Sequence, residues 1–277
     1  MTTTAGYLIY LSAGLVAGLL AGMFGLGGGL TIVPALSIAL PLQGVLPGQV
    51  MHLAVGTSLG AMFLTALYTT LLRRRHGDLD LAVFGRLLPP VVAGAIAGAL
   101  LGGFLPGHLL RIFFIAFVAY MIVRALRQHF RSAARVGEGT TTQRSPTIPS
   151  AASRWVSGTA TGLTGALLGM GAAVITVPYL KGAGYRIQTA SAVAAGLSAV
   201  IGLGAGAGYI LGGMGAEGLP EGAIGYLYLP AFVGMTIGAL IGSPFGVRIS
   251  HRMNELRQFW LFLAYLVVVL IAMVVRA

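Results

Sequence analysis

The fold class predicted by this 277-residue sequence is an all-α polytopic membrane protein made of two related halves. The first indication is composition. The chain is 57% hydrophobic and only 8% charged, whereas a soluble domain carries about 25% charged residues. A chain this apolar must satisfy its backbone inside helices that lie in lipid. The second is that the apolar runs fall into five segments per half. The third is a repeat. Ala17–Leu36 (AGLLAGMFGLGGGLTIVPAL) and Thr161–Leu180 (TGLTGALLGMGAAVITVPYL) agree at 7 of 20 positions at a fixed offset of 144 residues.

Taken in order, the first half starts with an apolar run over Ala5–Phe24, a glycine break, and a short run over Gly28–Leu40 containing Pro34. Gln49–Leu72, Leu81–Phe104 and Leu109–Arg127 follow, each long enough to cross a hydrocarbon core of roughly 30 Å. The second half repeats the pattern with Trp155–Leu168, a glycine break, Ala172–Leu180, and then Ile187–Leu211, Ala223–Val247 and Asn254–Val275. The two short runs flanking each break read as half-helices in a broken or re-entrant pair. The fourth segments match too: Pro90–Gly102 and Pro230–Gly242 share 6 of 13 positions and keep glycines four apart. That spacing presents a small-residue face for close helix approach, within the chain or in a homodimer. The halves are residues 1–131 and 154–277. Residues 132–153, polar and rich in Ser, Thr, Pro and Arg, form a linker.

The basic residues give the direction. Fifteen of the 17 fall in four clusters: Arg73, Arg74, Arg75 and Arg86; Arg124 to Arg154 around the linker; Lys181 and Arg186; and Arg248, Arg252 and Arg257. The positive-inside rule makes these cytoplasmic. The third segment then runs inward in the first half and outward in the second, so the repeats are inverted. Both termini are expected outside and the linker in the cytoplasm of a cell bounded by a bacterial inner membrane. The net charge of +11 is thus spent on orientation in the bilayer, and no nucleic-acid partner is expected.

A duplicated, glycine-broken apolar segment marks the binding site of a transporter. The first turn of each short helix would offer unpaired N–H groups and a partial positive charge to an anion. Glycine lets a ligand reach that backbone. The candidate substrate contacts are Gly25, Gly27, Gly28 and Gly29 in the first copy and Gly169 and Gly171 in the second. Thr31 and Thr176 lie near the two first turns. His52, Thr57, Ser58 and Ser191 are further candidates among the polar residues of the third segments. Hydroxyls are neutral donors suited to oxyanions, and His52 is either interfacial or a proton carrier. No Asp or Glu lies inside a segment, which disfavours carboxylate-based cation exchange. No P-loop, metal-ligand cluster or nucleophile–base pair is present, so no cofactor and no enzymatic chemistry is expected.

GLVAGLLAGMFGLGGGLTIVPAL, the downstream AVGTSL and the second glycine–proline copy resemble the TauE/SafE sulfite exporter family, the TSUP permeases, over nearly the whole chain. The resemblance implies a permease for small, mostly sulfur-containing anions such as sulfite, sulfoacetate or related sulfonates. It puts site residues at Gly25, Gly27, Gly28, Gly29, Thr57, Ser58, Gly169, Gly171 and Pro178. The second copy departs from the first at Ala172 and Ala173, and its third segment lacks the Gly-Thr-Ser triplet. The expected function is secondary transport of a small anion by alternating access. A non-transporting membrane scaffold or assembly partner is the alternative.

Overall fold

The computed structural model describes residues 4–24, 28–135 and 147–275. The described residues form α1 (Thr4–Phe24), α2 (Gly29–Ala39), a 3-10 turn over Pro41–Gln43, α3 (Pro47–Arg75), α4 (Leu81–Phe104), α5 (Gly107–Arg135), α6 (Ala151–Leu168), α7 (Ala173–Gly182), α8 (Ile187–Gly212), strands β1 (Ala223–Ile224) and β2 (Leu227–Tyr228), α9 (Leu229–Arg252) and α10 (Glu255–Val275). Helices α3, α4 and α8, with the Gly107–Arg127 part of α5 and the Leu229–Ile249 part of α9, are long and apolar enough to cross a bilayer. The chain is a polytopic, all-α membrane protein. Its lipid-facing helices leave large apolar residues such as Ile96, Leu100, Phe104 and Val268 exposed.

Helix ends follow local chemistry. Asp80 accepts from Ala82 N (2.9 Å) and Val83 N (3.0 Å) and starts α4. Asn254 does the same for α10 through Leu256 N (2.8 Å), and Ser150 starts α6 through Ser153 N (3.3 Å). A short polar acceptor before an apolar run satisfies first-turn donors that have no partner within the helix. The segment expected to be helical from Ala223 begins otherwise. Gly225, with φ of 54°, turns a two-residue link between β1 and β2, which pair antiparallel as Ala223↔Tyr228 and Ile224↔Leu227. A Cβ at Gly225 would overlap the Ile210 carbonyl, so the turn is pressed onto the end of α8. α9 therefore starts six residues later than the apolar pattern suggests, at Leu229.

Packing fixes the relative directions. Gly14, Gly18 and Gly22 of α1 lie against Met235, Ala239 and Ser243 of α9 in the same order, so the two helices run parallel. Gly158 of α6 meets Pro90 of α4, Gly162 meets Val91 and Ala95, and Gly98 meets Leu163, so this pair is parallel too. The first helix of each half thus packs on the fourth helix of the other half. The glycines spaced four apart are used inside the chain: any Cβ at Gly162, Gly238 or Gly242 would overlap a neighbouring backbone carbonyl. α3 and α8 cross antiparallel, with Gly202 on Leu59 and Phe63 and Gly196 near Thr70. α5 and α10 are also antiparallel. Arg111 at the start of α5 donates through Nε (3.2 Å) and Nη2 (2.7 Å) to the Met273 carbonyl at the end of α10.

Both short helices turn back. Gln43, just past α2, hydrogen-bonds Tyr10 near the start of α1, and Ser153 of α6 lies 3.1 Å from the Tyr179 hydroxyl of α7. α1–α2 and α6–α7 are therefore hairpins that reverse at their glycine breaks. These directions gather the ends of α3, α5, α7 and α9, with the starts of α4, α6, α8 and α10, at one end of the molecule. That end carries the basic clusters. Glu217 and Glu221 lie at the other. Of the linker expected over 132–153, residues 132–135 continue α5 and 151–153 begin α6, while 136–146 lie outside the described residues.

Candidate functional site

The two hairpin tips meet beside the middle of α3 and α8. Gly29, the first residue of α2, is pressed against the Gly169–Met170 backbone of the other tip, where a Cβ would overlap the Gly169 carbonyl. Ser58 of α3 donates to that carbonyl at 3.0 Å. Gly169 has φ of 66° and closes α6 in the left-handed conformation that glycine adopts without strain. Gly28 has φ of 85° and precedes α2 with no side-chain cap. It faces space: a Cβ there would find nothing nearer than Ile32 Cδ1 at 3.8 Å and Ala21 Cβ at 3.9 Å.

The tips differ in their polar partners. In the second half, Ala172 N donates to Ser198 Oγ at 2.8 Å, and Ser198 donates onward to Ala194 O at 2.8 Å. The start of α7 is therefore capped from the side by α8. Ser58 stands in α3 where Ser198 stands in α8, but it turns to the opposite hairpin, and no side chain caps the start of α2. The Ala172–Ala173 departure noted in the sequence is thus matched by a filled helix end.

The other sequence-predicted residues fall as follows. Thr57 is fully buried and accepts from Tyr228 N at 2.9 Å, pinning the β2 link to α3. Thr31 pairs with the Tyr265 hydroxyl at 2.8 Å, tying α2 to α10. His52 places Nδ1 3.2 Å from Gly48 O and Nε2 3.0 Å from Leu105 O, and its ring stacks on Tyr226 with centroids 4.8 Å apart. Thr176 is buried in α7 and Ser191 in α8, and Gly171 lies buried in the turn between α6 and α7. Gly25 and Gly27 lie outside the described residues. The structure brings Gly28, Gly29, Ser58 and Gly169 to one point and sets His52 and Thr57 towards the Glu217 end.

A small cavity of about 10 Å³, room for about one water molecule, lies on the basic side of this meeting point. Gly18 and Ala21 of α1, Thr65, Ala66 and Thr69 of α3, Ala195 of α8, and Ala239 and Ser243 of α9 line it. Ala21 is also the wall nearest Gly28, so the cavity abuts the α1–α2 tip. On the opposite side the corresponding space is filled. Offsetting α3 onto α8 by the 140 residues that align Gly56 and Ser58 with Gly196 and Ser198 puts Tyr209 in the place of Thr69. Tyr209 is buried, donates to Leu167 O at 3.4 Å, and meets Tyr226 edge-on at 6.4 Å. Tyr209, Tyr226 and His52 form one aromatic stack there.

Sequence reasoning missed Thr65, Thr69 and Ser243, the hydroxyls that line this cavity. The spacing of the first two carried a usable signal: Thr65 and Thr69 are one turn apart, so they share a helix face.

The comparisons with known proteins agree with this architecture. The family model described as sulfite exporter TauE/SafE matches residues 10–273. A probable membrane transporter protein of Haemophilus influenzae is 27% identical over 269 residues, covering 97% of this chain and 98% of that protein. A probable membrane transporter protein of Methanocaldococcus jannaschii is 24% identical over 247 residues, covering 87% of this chain and 85% of its own length. No solved structure matches the chain.

Proposed function

The chain belongs to the TauE/SafE family of membrane transporters, and from that premise we propose that it moves a small sulfur-containing anion, of the sulfite or sulfonate class, across a bacterial inner membrane by alternating access. The observation that carries this reading is the pair of glycine-broken hairpins meeting tip to tip, with a cavity on one side of the meeting point and an aromatic plug on the other. A transporter caught on one side of its cycle has this form. The start of α2 at Gly28, which no side chain caps, offers a partial positive charge in a low-dielectric site without a buried cation. No carboxylate lies within the membrane-spanning parts to repel an anion.

We read the two halves as inverted repeats. Antiparallel crossing of the counterpart pairs α3–α8 and α5–α10 supports this reading, as does the exchange of first and fourth helices between halves. With the basic end cytoplasmic, the cavity faces the cytoplasm and both termini face out.

Purified protein in proteoliposomes tests the cargo. Flux of sulfite, sulfoacetate and taurine is measured against acetate and chloride. Selective sulfite or sulfonate flux that Gly28→Leu abolishes, with an unchanged circular dichroism spectrum, is the expected result. Transport of carboxylates alone, or undiminished flux through the variant, overturns the reading.

A further inference from the structure

We propose that His52 is a proton-binding site at the Glu217 end, the outer side in the reading above, and that a proton held there fastens the aromatic plug shut. The opening step rests on the alternating-access reading, while the proton site stands on the surroundings of one ring.

His52 is 5% exposed and lies in the second turn of α3. Both ring nitrogens face carbonyl oxygens: Nδ1 is 3.2 Å from Gly48 O and Nε2 is 3.0 Å from Leu105 O. Both are hydrogen-bond distances. A neutral imidazole carries one N–H and a lone pair on its other nitrogen. It can serve only one of the two carbonyls, and it sets a lone pair against the oxygen of the other. The imidazolium donates from both nitrogens. Neither oxygen can reverse its role, because a backbone carbonyl only accepts. Leu105 closes α4, where the helix supplies no donor for its carbonyl. The Nε2 bond supplies one.

The ring also stacks on Tyr226, with centroids 4.8 Å and planes 29° apart, within reach of a cation–π attraction. Tyr226 is wedged between α3 and α8. A Cβ at Gly56 would overlap its carbonyl, and one at Gly213 would overlap its amide. Tyr209 meets Tyr226 edge-on and sets its hydroxyl against Gly102 of α4. His52 thus joins the start of α3, the end of α4 and the plug. Other titratable or charged groups stand on the elements around it. Tyr209 donates to Leu167 O, and Tyr228 of β2 donates to Gln43 at 3.0 Å. On α5, His108 is exposed and Arg111 is held by the Met273 carbonyl. Glu217 and Glu221 are exposed on the loop before β1. Among the described residues, the hydrogen bonds of the His52 ring go to the two carbonyls and to none of these groups.

Opening the Tyr209 side parts the end of α4 and Tyr226 from α3, so it breaks the Leu105 bond and the stack. Both contacts are stronger for a charged ring than for a neutral one. The closed plug therefore binds the proton more tightly than the open one, and by linkage the proton favours the closed plug. Acid holds this side shut, and loss of the proton releases it. The duplication supplies no second site of this kind. At the offset of 140 residues, Ala192 stands in α8 where His52 stands in α3.

Cysteine labelling of the full chain in lipid nanodiscs reads the plug. The chain has no cysteine of its own. Ala205, one turn before Tyr209 on the same face of α8, is 1% exposed, so a maleimide reaches Ala205→Cys when the plug opens. The rate is compared with that of the same cysteine in a chain carrying His52→Gln, which takes up no proton. The reagent's own pH dependence cancels in the ratio. The ratio of variant to parent is expected to rise roughly tenfold from pH 8 to pH 5, the effect of one hydrogen bond to a charged group. A ratio that stays constant with pH overturns the proton site and leaves the transport reading standing. A cysteine that stays unlabelled at every pH in both chains overturns alternating access to this side. Because His52→Gln can fail to fold, nitrogen-15 spectra of the histidine-labelled parent give a second readout. A doubly protonated ring whose N–H groups exchange slowly with solvent is expected at pH 5, and its absence overturns the proton site whatever the labelling shows.

Discussion

At the tips, adjacent glycines serve different ends. Gly28 needs glycine for its backbone, since φ of 85° costs an L-residue roughly 1–2 kcal/mol, but it has room for a methyl group. Gly29 has ordinary helical backbone and no room, because the Gly169 carbonyl occupies the Cβ position. Gly28→Ala is therefore expected to lower the melting temperature modestly. Gly29→Ala should lower it further and break the Ser58–Gly169 bond. Equal shifts in a fluorescence melt would contradict this division. Ser198→Ala should cost about 1 kcal/mol by uncapping α7, seen in the same melt. These roles explain what the sequence made legible. The triple glycine marked the α1–α2 tip, and Ala172–Ala173 signalled that the second tip differs. Periodicity did not reveal that Thr57 and Ser58 hold the fold together. Hydroxyl partners depend on which helix lies opposite, and that is a tertiary fact.

At the scale of the helices, the same small-residue face that suggested either a dimer or internal packing is consumed within the chain. Each Gly-rich fourth helix receives the first helix of the other half. Gly238→Val would put its Cβ into the Leu11 carbonyl and the Leu15 amide. It should abolish recovery of monodisperse protein in detergent, while Gly204→Ala, with nothing within 4 Å, should leave recovery unchanged. A recovered, monodisperse Gly238→Val would show that α1 does not depend on α9. Element positions were largely readable: α4 and α10 begin where a polar cap precedes the apolar run, and α3 and α5 merely extend past it. The start of α9 was not, because Ala223–Tyr228 is apolar enough to continue a helix. Only Gly225, pressed on Ile210, and the Thr57–Tyr228 bond make it a turn.

Across the whole molecule the two halves use one pairing in two registers. Gly18 of α1 sits against Ala239, yet its counterpart Gly162 sits against Val91 and Ala95, although Ala99 is the counterpart of Ala239. Gly234 meets Tyr10, whereas Gly94 meets Thr159 and Leu163, the counterparts of Leu15 and Leu19. The α1–α9 pair is thus displaced by one to two turns relative to α6–α4. Helix pairs that have two discrete dockings are the kind of element that supports a switch. The asymmetry coincides with the cavity on one side and Tyr209 on the other. Alternating access then predicts that the registers exchange, with α9 sliding along α1 as the Tyr209 side opens. Leu8 and Ile241 are both exposed, on α1 and α9 respectively, so spin labels there would spare the packing. In the exchanged register their separation grows by at least one helical pitch, about 5.4 Å. Pulsed electron-resonance distances on Leu8→Cys/Ile241→Cys should therefore show a second, longer population whose share changes with sulfoacetate. Tyr209→Ala, which removes the plug, should shift that share even without anion and raise anion leak through proteoliposomes. A single distance, unmoved by anion or by the Tyr209 substitution, would mean that the two registers are fixed features of the duplication and that transport runs by some other motion.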